Sequence, residues 1–547
     1  MTLSLPVTLL QHLKLENKDL MQSAKRTTQM FVEIDHRFVG EADRRTLLLA
    51  CSEGEQTKEK KKLKRQLKSL IDIAEDPAGA KVQNLGAFKD AATDLFKKLP
   101  NKRAFVVDGA LRRPVPYFVE RVNESGSVRF GLPHVTIELT AVRLGKRVEE
   151  KVVFYYRDIR GKTLGQILDA EGICLENEAL NEEYQRHIEL YQVCSTKLGE
   201  QFTGNAWVQL RESENSWQPE TYHVPADPER PAQLVMDHWH GEDGEKRDEK
   251  IKADESFWEA DGDGEKDPTE LPEQPLVYMY DLQAHEAVIV HVADITPHEY
   301  QPEVGRLLIL PPDEKRLLDI LRQGIRMTDK DVIHGKTGGC LIIIQGEPGV
   351  GKTLSAQVFS EQNKRPLYEI QCAQLGIQPN EVEKNLREAL LRARRWNAVL
   401  LINEADVFVH TRGTDIVQNA IVGVFLRLLE SLDGVCFLTT NKGTIIDDAI
   451  YSRAIVHLKY DYPDKDGRNA IFTDQAKLQG LQLPADVARA LADKHKLSGR
   501  DIRKLIKLAK LLHLSEGNDI TLEDMEWSLR WRKSRKNGHP STGEQAG

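Results

Sequence analysis

One stretch governs what this chain can become: Leu341-Ile-Ile-Ile-Gln-Gly346-Glu347-Pro348-Gly349-Val350-Gly351-Lys352-Thr353-Leu354, a short apolar run opening directly into G-x-x-x-x-G-K-[ST]. An unbroken apolar run of that length reads as a strand buried on both faces, and the helix-like Leu354 to Glu361 completes a strand, turn and helix unit. Such a turn curls its backbone N–H groups inward around an anion, and glycine lets the backbone approach phosphate without a Cβ in the way. Lys352 is placed to reach the β- and γ-phosphate oxygens and the Thr353 hydroxyl to ligate Mg²⁺, while the helix N-terminus offers its positive dipole end. Residues Gly346 to Leu354 are therefore the candidate loop for a nucleoside triphosphate.

A second apolar run, Ala398-Val-Leu-Leu-Ile402, ends in Asn403-Glu404-Ala405-Asp406. In doubly wound sheets ligands sit at the carboxyl ends of the strands, so Asn403 and Glu404 are expected to meet the loop at one crevice. A carboxylate at Glu404 can polarise water for in-line attack on the γ-phosphate. A third run, Gly434 to Thr440, ends in Asn441, an amide suited to orient that water. Arg453 then precedes a β-like stretch, Ala454 to Tyr460, at the expected edge of the sheet, where an arginine can project into a neighbouring subunit. Arg500 opens an amphipathic helix carrying Leu505, Ile506, Leu508, Ala509, Leu511 and Leu512, and from there it can reach back to the γ-phosphate.

Taken in order, GEPGVGKT, LLINEADVF, FLTTN, DDAIYSR and LSGRDIR resemble the AAA+ ATPases over roughly residues 305 to 535. The resemblance implies an α/β fold, a P-loop nucleotide-binding domain with a parallel sheet between helices at 305–463, followed by a helical lid at 464–535. It also implies roles: Gly346 to Thr353 as Walker A, Asn403 and Glu404 as Walker B with Glu404 catalytic, Asn441 as sensor 1, Arg453 as arginine finger, Arg500 as sensor 2. ATP and Mg²⁺ are the expected ligands, with Thr353 and Asn403 facing the metal. A homo-oligomeric ring, with a hexamer favoured, would hydrolyse ATP to remodel a protein partner that the sequence does not name.

Three departures qualify the resemblance. Asn403 stands where an aspartate is usual, and an amide brings no negative charge to the metal. The segment Gln371 to Pro379 lacks the aromatic that threading members carry in a pore loop, and Val456 stands where many have a second finger arginine. These keep open a nucleotide-gated scaffold with slow hydrolysis. A nucleic-acid-directed ATPase is less favoured: the net charge is −9, and the basic runs at 58–68 and 530–536 are local.

Upstream, residues 1–103 read as a helical region, including Glu55 to Glu75 with Leu63, Leu67, Leu70, Ile71 and Ala74 on one face and Lys58, Lys60, Lys61, Lys62, Lys64, Arg65 and Lys68 opposite. Residues 104–239 turn to short β-like runs with helices at Thr163 to Ala170 and Ala179 to Lys197, an α+β accessory domain. An acidic linker at 240–274 reads as disordered, and strands in 275–304 complete the accessory domain. The calcium-loop mimic at Asp261, Asp263 and Glu265 lacks its glycine, and His238 with His240 have no second pair of ligands. The tail, 536–547, reads as disordered, and Trp527 and Trp531 before it are assigned to lid packing. Six scattered cysteines without a C-x-x-C pair, and no run of 18 apolar residues, point to a cytoplasmic protein with no membrane span.

Overall fold

The computed structural model describes residues 2–6, 31–35, 39, 41–52, 60–61, 63–64, 67, 82, 84–107, 113–126, 132–204, 207–211, 220–224, 231–237, 270–324, 339–441, 443–517 and 520–533. The chain divides into two compact units, Met1–Leu198 with Phe202–Pro297, and Gly199–Gln201 with His298–Gly547. The division falls at Pro297/His298, upstream of the residue 305 boundary read from the sequence.

The helical reading of residues 1–103 is corrected at its start. Strand β1 (Thr2–Pro6) pairs antiparallel with β2 (Phe31–Asp35), Leu3 opposite Ile34 and Leu5 opposite Val32. Thr2-Leu-Ser-Leu5 alternates polar and apolar residues, and Phe31-Val-Glu-Ile34 is rich in β-branched and aromatic types, so the period is two and not 3.6. Helices α1 (Glu41–Ser52) and α2 (Leu85–Lys98) follow.

Strands β3 (Arg103–Val107), β4 (Pro114–Ser125), β5 (His134–Arg143), β6 (Lys146–Tyr155) and β7 (Ile173–Leu175) form an antiparallel sheet in the order β6-β5-β4-β3-β7. Its apolar run in β3 is explained by cover on both faces. Ala104 and Val106 join the cluster of Phe88, Phe96 and α3 (Leu164–Ala170), whereas Phe105 and Val107 join Leu47, Cys51, Leu63 and Leu67. Leu63 and Leu67 thus find a partner for the apolar face read from the sequence. Leu70, Ile71, Ala74, Lys58, Lys62, Arg65 and Lys68 lie outside the described residues.

The second sheet of this unit has seven strands: β8 (Gln201–Gly204), β9 (Trp207–Arg211), β10 (Glu220–Val224), β11 (Ala232–Met236), β12 (Leu276–Asp281), β13 (Glu286–His291) and β14 (Ile295–Pro297). Their order is β10-β9-β13-β12-β11-β8-β14, so chain from both sides of the acidic segment builds one sheet. Tyr191 and Cys194 of α4 (Glu178–Ser195) pack on its core. Of the linker read as disordered at 240–274, residues 240–269 lie outside the described residues, as do His238, His240, the aspartates of the calcium-loop mimic and the tail 536–547. Residues 270–274 correct that reading: Leu271 and Gln274 are buried, Pro272 O accepts from the Val142 N–H at 2.9 Å, and the Gln274 N–H donates to Val142 O at 2.7 Å.

The other unit begins with α5 (Pro312–Gly324) and then alternates strand and helix: β15 (Cys340–Gly346), α6 (Lys352–Asn363), β16 (Leu367–Gln371), α7 (Pro379–Arg395), β17 (Val399–Asn403), α8 (Ile416–Leu429), β18 (Val435–Asn441) and β19 (Val456–Tyr460). The strands form one parallel sheet, ordered β16-β17-β18-β15-β19. Ile342, Ile343, Ile344, Leu400, Leu401 and Ile402 are fully buried, as central parallel strands between helix layers require. The lid is α9 (Lys465–Leu478), α10 (Ala485–Lys494), α11 (Gly499–Glu516) and α12 (Leu522–Lys533) around Phe472, Leu491, Ile502, Leu505, Ile506, Met525 and Leu529. The tryptophans do not pack there, which corrects their assignment: Met525 and Leu529 take the inward face at i, i+4, leaving Trp527 and Trp531 44% and 69% exposed on the other side.

Candidate active site

Strand register builds the site. Gly346 pairs with Asn441 across β15 and β18, and Asn403 pairs with Gln371 across β17 and β16, so four strand ends finish at one rim. The loop from Gly346 to Gly351 leaves β15 there. Gly349 (φ +83°) and Gly351 (φ +109°) hold conformations that L side chains rarely adopt. A Cβ on Gly349 would stand 2.6 Å from the Arg500 Cβ and 2.8 Å from the Ser498 Oγ, and the Arg500 N–H donates to Gly349 O at 3.2 Å. The first turn of α11 therefore seats directly on the loop. Ser498 caps that helix by accepting from the Asp501 N–H at 3.2 Å.

Lys352 folds back into the loop, its Nζ donating to Gly346 O at 2.6 Å and Glu347 O at 3.1 Å. Burial pulls the ammonium pKa below the ordinary lysine value and Arg500 acts in the same sense, while Asp406, Glu404 and Glu347 act against them. A phosphate chain would replace those carbonyl partners with charged oxygens.

Thr353 Oγ1 donates to Asn403 Oδ1 at 3.2 Å, and Thr439 Oγ1 donates to the same oxygen at 2.5 Å. Asn403 Nδ2 donates to Glu369 Oε1 at 3.1 Å. Burial raises the Glu369 pKa, opposed by that hydrogen bond from Asn403. Glu404, the next residue, is exposed and has φ +55°, a left-handed conformation that costs a non-glycine residue about 1–3 kcal/mol. The surroundings impose it: the Glu404 N–H donates to Thr439 Oγ1 at 3.0 Å, and Cys372 Sγ donates to the carbonyls of Asn403 (3.3 Å) and Glu404 (3.0 Å). Burial, with Asp406 and Glu404 nearby, pushes the Cys372 thiol up to about 12, so it stays a protonated donor.

Asp406 clamps Asn441 twice, Oδ1 accepting from its backbone N–H and Oδ2 from Nδ2, both at 2.8 Å, and it also accepts from the Thr444 hydroxyl. Asp406, Thr439 and Glu369 carry no role in the sequence reading; each acquires its partner only through the pairing of strands distant in sequence. Arg453 follows a one-turn helix (Asp448–Tyr451), donates to Ala449 O at 2.8 Å and forms an ion pair with Glu430. It lies apart from the loop contacts, in the segment leading to edge strand β19. Ile377, in the segment without an aromatic, is 76% exposed.

The oxygen donors of Thr353, Asn403 and Glu369 suit a hard dication such as Mg²⁺. Among the described residues no group of three or more His, Cys, Asp or Glu side chains could hold a metal.

A Gly-rich loop between a central parallel strand and a helix, with a carboxylate and an amide at neighbouring strand ends, defines an α/β P-loop nucleotide-binding fold. Residues 342–462 match the profile of the ATPase family associated with various cellular activities (AAA), and this segment is a AAA ATPase domain. Similar proteins include a putative 26S proteasome regulatory subunit homolog of Methanocaldococcus jannaschii, 28% identical over 35% of this chain and 54% of its own length. The ATP-dependent zinc metalloprotease FtsH 3 of Sphaerobacter thermophilus is 27% identical over 34% of this chain and 40% of its own. A cell division cycle protein 48 homolog of Archaeoglobus fulgidus is 30% identical over 32% and 25%, respectively. The chain spans roughly half the length of the first of these relatives and less of the other two.

Proposed function

We propose that the unit from His298 onward binds ATP with Mg²⁺ on the Gly346 to Leu354 loop and hydrolyses it, and that the chain works as a homo-oligomeric ring, a hexamer favoured, remodelling a protein partner. The observation that carries the chemistry is the rim itself: Lys352, the Thr353–Asn403 bond, Glu404 and the Asp406-clamped Asn441 all stand at the carboxyl ends of adjacent parallel strands.

The loop N–H groups and Lys352 hold the phosphates. Glu404 takes the proton from the attacking water, and Asn441, immobilised by Asp406, orients that water for in-line attack. Thr353 and Asn403 would hold the metal, which would supply positive charge to offset that of the phosphates. Arg500 borders the loop through its backbone and extends the cationic wall. Arg453 serves the neighbouring subunit's site. Its ion pair with Glu430 lies at the surface, the glutamate 62% exposed, and such pairs contribute about 0–1 kcal/mol, so a phosphate displaces it readily. The remodelling role is supported by the proteasome-regulatory and cell-division-cycle likenesses. A nucleotide-gated scaffold with slow turnover is the second reading, favoured by Asn403 and by the aliphatic Ile377 in place of a pore aromatic.

The test is Lys352→Ala: ATP turnover should fall to background and ATP affinity by at least about tenfold, measured by phosphate release and equilibrium binding. Unchanged turnover would sink the assignment. Among the described residues no helix is long and apolar enough to cross a membrane.

A further inference from the structure

Asn403 brings no charge to the metal, yet its neighbours show where a charge stands. Its Oδ1 accepts hydrogen bonds from the Thr353 and Thr439 hydroxyls, so it holds them as a neutral amide. Its Nδ2 donates to the carboxylate of Glu369, which lies on the neighbouring strand β16 between buried Tyr368 and Ile370. An aspartate at 403 could not donate that bond and would press one carboxylate against another. Glu369 is half-buried, and among the described residues no cation pairs with it. A carboxylate withdrawn from water without a positive partner is costly, and a divalent cation is the partner this rim is shaped to receive. Consecutive hydrogen bonds join Glu369 to Asn403 and Asn403 to the Thr353 hydroxyl.

We infer that Glu369 is the acidic positioning residue of this metal site: acting through Asn403, it supplies from β16 the negative charge that β17 lacks. The inference rests on the proposed ATP site. Strand geometry makes the transfer possible, because Gln371 is the direct partner of Asn403 and Glu369, two residues earlier on β16, projects from the same face as Gln371. Residues 369 and 403 are then exchangeable as a pair and not singly: an acid at one requires an amide at the other.

The full chain and three variants test this, Glu369→Gln, Asn403→Asp and the double exchange. The readouts are equilibrium binding of a fluorescent ATP analogue, titrated with Mg²⁺ and repeated in EDTA, and Mn²⁺ binding followed by electron paramagnetic resonance. Glutamine at 369 keeps an acceptor oxygen for Asn403, so the first variant removes charge and little else. Nucleotide affinity in EDTA is the control for Glu369→Gln, which should bind there as wild type does. The Mg²⁺ concentration for half-maximal binding should rise about tenfold in Glu369→Gln, stay at or above the wild-type value in Asn403→Asp, and return towards wild type in the double variant. Unchanged Mg²⁺ dependence in Glu369→Gln, or full benefit from Asn403→Asp alone, overturns the inference while leaving the ATP site standing. Lost binding in EDTA as well would mark Glu369 as structural and also overturns it. A wild-type chain that binds no nucleotide at any Mg²⁺ concentration overturns the ATP reading and this one with it.

Discussion

Asp406 shows how much of this site depends on residues that hold other residues. Asn441 is exposed at the end of β18, and an exposed amide samples several rotamers unless something fixes it. Asp406 fixes it from both oxygens. Asp406→Ala should therefore lower turnover by about 10²-fold, because a misplacement near 1 Å can cost that much, with a much smaller change in ATP affinity. Single-turnover hydrolysis beside equilibrium binding separates the two effects. Equal losses in both would assign Asp406 to nucleotide holding through its field on Lys352. Glu404 gives the complementary lesson: its positive φ is held by Thr439 on its N–H and Cys372 on its carbonyl, contacts made to its backbone and not to its carboxylate.

At the scale of elements, the α/β fold was legible because β15 is an apolar run opening into the glycine-rich loop, and β17 and β18 are apolar runs ending in Asn403 and Asn441. Burial on both faces leaves such a run no other reading once a phosphate loop follows it. Glu369 was not legible, since it sits in a short edge strand and its partner, 34 residues away, is fixed only when β16 pairs with β17. Asp406 was equally hidden, its partner lying 35 residues on. The β1–β2 pair was missed for another reason: five-residue strands offer little periodicity, and the sequence reading ran one helical region across residues 1–103. The seating of α11 on the loop makes a prediction of its own. Gly349→Ala adds a left-handed backbone penalty of about 1–2 kcal/mol and a collision with Ser498 and Arg500. Gly480→Ala adds a comparable backbone penalty alone, because at φ +66° nothing lies within 4 Å of the added carbon. Both should lower the melting temperature, but only Gly349→Ala should also abolish ATP binding. A Gly349→Ala protein with normal affinity would show that the loop and α11 do not work as one body.

Arg453 carries the argument to the whole molecule. Within one chain it bonds Ala449 and Glu430 and makes no contact with the phosphate loop. On the proposed reading Arg453 serves a neighbouring subunit's site, and the chain is then expected to hydrolyse ATP only when assembled. Arg453→Ala should bind ATP nearly as wild type yet turn over about 10³-fold slower, the low end of what a finger contributes. Lys352→Ala lacks the opposite part: its pocket is dead but its finger is sound. Mixing the two inactive proteins at equal concentration, under conditions where subunits exchange, should restore activity at interfaces that pair an Arg453→Ala pocket with a Lys352→Ala finger. Phosphate release from the mixture, with exchange followed by a fluorescence-transfer pair on the two variants, measures this. Recovery that rises with mixing time establishes the shared site. A mixture as inactive as its components, with exchange demonstrated, would mean that the site is complete within one chain and that the exposed Arg453–Glu430 pair has no role in turnover.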